Sequence, residues 1–195
     1  LVICVPLVLE KIYRKMIVPM ISSPAVRWVL AVPMLDKAVY ARIRSKLVEA
    51  FGGSFEEVII GGAPLNPEVE DFLLRIKFPF TVGYGMTECG PLIAYAPWDI
   101  QRPGSCGKVV DRMEIRVKSD DPAVTPGVLW VKGDNVTKGY YKNDEATRAS
   151  FDGKWFNTGD ICNVDADGFI YIRGRDKNMI LGPSGQNIYP EEIEQ

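Results

Sequence analysis

The chain has 195 residues, 47% of them apolar, with 23 basic against 25 acidic side chains and a formal charge of −2. This is a globular composition, enough for one domain or for one and part of another, and it offers no net positive field for nucleic acid. The absence of histidine excludes Ser-His-Asp and Cys-His catalysis and histidine-held metals.

The first half alternates strands and helices. "LVICV", residues 1–5, is an apolar run closed by Pro6 and reads as a buried strand. Only nine residues precede Glu10, too few to span a bilayer, and no basic leader is present. Residues 7–20 carry apolar side chains at helical spacing. Residues 38–51 place Val39, Ile43, Leu47 and Phe51 on one helical face, and Gly52 and Gly53 stop that helix. "EEVIIGG" is a short strand running into glycine. "NPEVEDFLLRI" predicts a helix with Asn66 as N-cap and Pro67 at its first position, and "FPFTVGYG" predicts a strand ending on glycine. This rhythm predicts an α/β fold, part of a mostly parallel sheet with helices on it.

After about Trp98 the pattern changes. "MEIRVK", "VLWVKG" and "GFIYIRGR" are short strands separated by turn-rich segments, with one helix over residues 144–150 capped by Asn143. They predict a small β-barrel or sandwich, taken as a β-barrel subdomain. From Asp176 a glycine-rich loop and a proline-initiated helix open a further unit, the start of a C-terminal α+β domain. The expected domains are therefore residues 1–97, 98–175 and 176–195. The chain opens on Leu1 and ends within an incipient helix, as expected of an internal fragment.

Two glycine turns, "IIGGAP" and "VGYGMTE", follow predicted strands, and ligands collect at such strand ends in parallel sheets. Glycine there lets a flat base or a phosphate approach the backbone. Tyr84, held between Gly83 and Gly85, offers a ring to stack on a purine. Thr87 offers a hydroxyl to a phosphate, and Glu88 offers a hard oxygen to Mg²⁺. In "WFNTGD", Asp160 at the opening of a β-hairpin offers a carboxylate to both hydroxyls of a ribose. Each feature has a plain alternative as a tight turn, a helix-start carboxylate or a turn aspartate.

The four cysteines, Cys4, Cys89, Cys106 and Cys162, form no C-x-x-C pair and read as reduced thiols of a cytoplasmic protein. Cys89 has no neighbouring base to make it a nucleophile. "NVDADG" fails as a calcium loop, because Gly174 stands at the twelfth position. "GSCGK" fails as a P-loop, because Arg102 and Val109 stand where glycine and a hydroxyl residue are needed.

Taken in order, "GGAPL", "VGYGMTE", "GSCGK", "WFNTGD" and "GRDKNMILGPSGQNIYPEEIE" resemble the adenylate-forming enzymes, and within them the long-chain fatty-acid–CoA ligases. The resemblance runs from near Leu1 to Gln195. It implies that Gly61, Gly62, Ala63 and Pro64 line an adenine pocket, and that Tyr84 stacks on the base beside Gly85. It further implies that Thr87 contacts the α-phosphate, that Glu88 holds Mg²⁺, and that Asp160 and Arg175 grip the ribose. Lys177 falls at the hinge of the family's mobile C-terminal domain, and residues 182–185 match the segment lining its pantetheine channel. The implied reactants are ATP, a fatty acid and CoA, with no nucleic acid and no transmembrane segment; peripheral contact with a membrane is left open.

The family's glycine-rich phosphate loop and its C-terminal lysine have no counterpart in these 195 residues, so the chain by itself is expected to be inactive. Val128 replaces the usual glutamate of the segment "GVLWVKG". Two other readings remain: a non-catalytic nucleotide-binding module, and a ligase that loads a carrier protein instead of CoA.

Overall fold

The computed structural model describes residues 1–30, 32, 35–181 and 187–190. The chain forms two compact units, residues 1–82 and 83–195.

In the first unit β1 (Val2–Cys4), β2 (Val58–Ile60) and β3 (Phe80–Val82) form a parallel sheet in that order. Val58 pairs with Val2 on one side and Phe80 on the other. Alternation sends Val2, Cys4, Val58, Ile60, Phe80 and Val82 into the core, where they meet Leu9, Ile17, Ile43, Leu47 and Leu73. Burying each large side chain contributes roughly 1.5–3 kcal/mol. Ile3, on the opposite face of β1, is 74% exposed.

The helix expected over residues 7–20 is continuous but not uniform. It comprises α1 (Pro6–Ile12), a π-helical stretch (Tyr13–Ile17) and α2 (Val18–Ser22). Leu9, Tyr13 and Ile17 are all buried. In a regular α-helix, positions four apart drift by about 40° around the axis, and the wider turn offsets that drift. Next come α3 (Pro24–Leu30), α4 (Leu35–Ala50) and α5 (Pro67–Arg75). Gly52 and Gly53 end α4 at φ of 92° and 78°, where a side chain would be strained. Asn66 caps α5, its Oδ1 accepting from Glu68 N at 2.9 Å and Val69 N at 3.4 Å.

The second unit is antiparallel. The strand expected to run through "FPFTVGYG" divides, so that β4 (Tyr84–Gly85) pairs with β5 (Leu92–Tyr95), which pairs with β6 (Lys108–Val109). A larger sheet holds β7 (Met113–Lys118), β8 (Gly127–Gly133), β9 (Phe151–Asp152), β10 (Trp155–Val164) and β11 (Ile170–Arg175). Its order is β11-β10-β8-β7, with β9 beside β10. The expected barrel is therefore corrected. Among the described residues this is an open sheet whose edges, β7 and β11, do not pair. Alternation of apolar residues fixes which face of a strand is buried, but not which strands meet to close a cylinder.

The helix α6 (Asp144–Ser150) forms as expected, with Asn143 Oδ1 accepting from Ala146 N at 3.0 Å. Strands β12 (Ile180–Leu181) and β13 (Asn187–Ile188) make a small antiparallel pair. The loop expected at residues 182–185 and the body of the helix after Pro190 lie outside the described residues.

Candidate functional site

Asp160 lies inside the ten-residue strand β10 and is where its antiparallel pairing with β11 begins, opposite Arg175, so it opens the β10–β11 hairpin as the sequence suggested. Asn157 pairs with Trp130 and Ile161 with Val128, so β10 carries extra residues against β8. Such a bulge re-aims a side chain without ending the strand. Its polar residues are satisfied locally. Thr158 Oγ1 donates to Leu129 O at 2.8 Å and accepts from Asp160 N at 3.1 Å, while Gly159 N donates to Asn157 Oδ1 at 2.9 Å. Gly159 takes the turn at a φ of 71°.

The bulge leaves the Asp160 carboxylate buried, only 5% of the residue being exposed. A buried charge requires partners, and two are supplied. The Tyr84 hydroxyl donates to Oδ2 at 2.5 Å, and Arg175 Nε lies 3.1 Å from Oδ1. Arg175 is opposite Asp160 in the β10–β11 register, and its side chain stays largely exposed. Burial first, and then the charge of Asp160, push the Tyr84 phenol far above its usual pKa, so it remains a donor. Lys177 is exposed, in the 3₁₀ turn Asp176–Asn178 that follows β11.

After β4 the backbone is crowded. Met86 N donates to Pro91 O at 2.8 Å, and a Cβ on Gly85 would stand 2.1 Å from that same oxygen. A 3₁₀ turn, Thr87–Cys89, then presents the Thr87 side chain to solvent and leaves Glu88 half-buried. Glu88 Oε1 accepts from the Tyr140 hydroxyl at 3.0 Å. Tyr140 was not picked out from the sequence; the signal available was an aromatic residue next to glycine in the turn-rich segment before α6. Cys89 is fully buried, and burial together with the Glu88 charge pushes its thiol up to about 11, so it stays protonated near neutrality.

One carboxylate with an unshared oxygen, next to a free-facing hydroxyl, suits Mg²⁺, which takes one or two protein carboxylates and completes its shell with water and phosphate. Among the described residues no group of three or more acids or cysteines gathers to hold a metal. In the first unit, Gly61, Gly62, Ala63 and Pro64 leave the carboxyl end of β2, the same edge at which β3 ends. Gly61 N donates to Cys4 O at 3.2 Å, and Gly62, at a φ of 92°, has open space at its Cβ position.

The pattern of the AMP-binding enzyme family matches residues 2–141. The chain belongs to that family, in agreement with the resemblance carried by its motifs. A 2-succinylbenzoate–CoA ligase of Bacillus velezensis is 37% identical over 142 residues, which cover 70% of this chain and 29% of that protein. A long-chain-fatty-acid–CoA ligase of Escherichia coli O6:H1 is 40% identical over 140 residues, covering 69% and 25%. Among solved structures, O-succinylbenzoate coenzyme A synthetase (MenE) from Bacillus subtilis in complex with AMP matches with a TM-score of 0.65 and 30% identity, over 79% of this chain and 34% of that one. The chain spans about a quarter to a third of the length of these relatives.

Proposed function

We propose that this chain holds the nucleotide in an AMP-forming acid–CoA ligase, and the observation that carries the reading is the buried Asp160 carboxylate set between Tyr84 and Arg175. A carboxylate placed there accepts from the ribose hydroxyls, with Arg175 beside it, while the Tyr84 ring stacks on adenine next to the bare backbone of Gly85. Gly61, Gly62, Ala63 and Pro64, at the carboxyl end of β2, are read as residues that contact adenine. Thr87 bonds the α-phosphate, and Glu88 holds Mg²⁺, which neutralises charge on the phosphates.

With the α-phosphorus fixed by the base and sugar, the acid's carboxylate attacks it and pyrophosphate leaves, giving acyl-adenylate. The CoA thiol then attacks the acyl carbon and AMP leaves. In this reading residues 1–97 are the end of an α/β subdomain, 98–175 the β-rich subdomain, and 176–195 the start of a domain that swings about Lys177 between the two reactions.

The acid proposed is a fatty acid. The support is the motif run that resembles the long-chain ligases, with a long-chain relative 40% identical over 140 residues; 2-succinylbenzoate relatives are 37% and 36% identical. All four cysteines are free thiols, which supports a cytoplasmic location. Among the described residues no helix is long and apolar enough to cross a membrane.

Equilibrium dialysis of labelled AMP tests the site. The chain is expected to bind AMP, and Asp160→Ala to weaken that binding about tenfold, the effect of losing hydrogen bonds to a charged group. Equal AMP binding by both proteins would overturn the reading. For the acid, acid-dependent exchange of pyrophosphate into ATP is measured in the protein that carries this chain. Palmitate is expected to support exchange and 2-succinylbenzoate not; the reverse result would reject the fatty acid.

A further inference from the structure

The segment between β8 and α6 grips the 3₁₀ turn at several points. Asn135 Nδ2 donates to Cys89 O at 2.5 Å and to Leu92 O at 3.1 Å, and Thr137 N donates to Glu88 O at 2.7 Å. These bonds hold the backbone of the turn. The Tyr140 hydroxyl does something different, since it donates to the Glu88 carboxylate itself.

Tyr140 is in turn anchored to α6. Its backbone N donates to Thr147 Oγ1 at 2.9 Å, and that hydroxyl donates to Asn143 O at 2.8 Å. Gly139, at a φ of 138°, packs so tightly on the same threonine that a Cβ would stand 2.5 Å from Thr147 Cγ2. The phenol is thus mounted on a capped helix, and its backbone neighbour has no room to shift.

We propose that Tyr140 is a positioning residue that fixes how the Glu88 carboxylate faces a Mg²⁺–nucleotide; this rests on the reading of Glu88 given above. With Oε1 accepting from the phenol, Glu88 would offer Oε2 to an ion held there. Partners that orient a metal-holding carboxylate matter to affinity about as much as some of the direct contacts do.

The test is equilibrium dialysis of labelled ATP in Mg²⁺ and in EDTA, and of labelled AMP in EDTA, on the chain, on Tyr140→Phe and on Glu88→Gln. Mg²⁺ is expected to tighten ATP binding by the unmodified chain. Tyr140→Phe is expected to lose about tenfold in ATP affinity in Mg²⁺ while binding AMP in EDTA as the unmodified chain does. Undiminished ATP binding in Mg²⁺, or an equal loss with AMP in EDTA, would overturn the role of Tyr140 and leave the Glu88 reading standing. An unmodified chain whose ATP affinity ignores Mg²⁺, or a Glu88→Gln protein with the full response to Mg²⁺, would remove both.

Discussion

At the scale of single residues, two glycines in sequence-similar turns behave oppositely. Gly85 takes an ordinary backbone angle, yet has no space, because the carbonyl of Pro91 lies where its Cβ would be. Gly62 has open space but a φ of 92°. Gly85→Ala must therefore separate β4 from β5, at a cost of about 3 kcal/mol. Gly62→Ala meets only the left-handed backbone penalty of about 1 kcal/mol. Urea unfolding of the two variants checks the order, and equal losses would contradict the crowding described around Pro91. Which glycine is crowded was not legible in the sequence, since both simply follow an apolar strand.

At the scale of elements, the sequence was clearest where one local rule sufficed. Asn66 before Pro67, and Asn143 before an acidic first turn, named their helices because a cap needs only its own next turn. The alternating "MEIRVK" appears as β7. The strand β10 was not picked out in the sequence because Asn157, Thr158, Gly159 and Asp160 are turn formers by composition; a neighbouring strand, not the local sequence, makes them a bulge. The β10–β11 turn allows a test. Arg102 donates to Asp165 Oδ2 at 2.6 Å and to Asp167 Oδ2 at 2.5 Å, and the N–H groups of Asp167 and Phe169 donate to Asp165 Oδ1. Burial works against ionising Asp165, but the Phe169 and Asp167 amides together with Arg102 outweigh it and its pKa falls. A carboxyl lowered on folding stabilises above its ordinary pKa, about 3.9, and that contribution disappears as pH drops through the lower folded value. Thermal melts of Asp165→Asn are expected to show reduced stability at pH 7 and a shallower decline below about pH 4. A decline as steep as the original would exclude Asp165 as its source.

At the scale of the whole molecule, the first unit leaves several apolar side chains in water. Leu1, Ile3, Val5 and Leu7 are each more than half exposed, and Trp28 is 77% exposed. Parallel sheets are ordinarily covered on both faces, and among the described residues β1 is an edge strand, so the chain has an apolar, hydrogen-bonding border. Self-association is the expected result. Ile3→Lys should shift the chain toward monomer in sedimentation at equal concentration, without lowering its melting temperature. An unchanged distribution would place the association surface elsewhere.

Asp160 and Glu88 each hold a phenolic proton donor. Under the function proposed above, a ribose hydroxyl that takes the place of the Tyr84 donor swaps one hydrogen bond for another of the same kind, and the enthalpy of that exchange is the small difference between them. Selection for the sugar then resides less in the heat of that exchange than in how faithfully the incoming oxygens reproduce the direction already prescribed by the tyrosine.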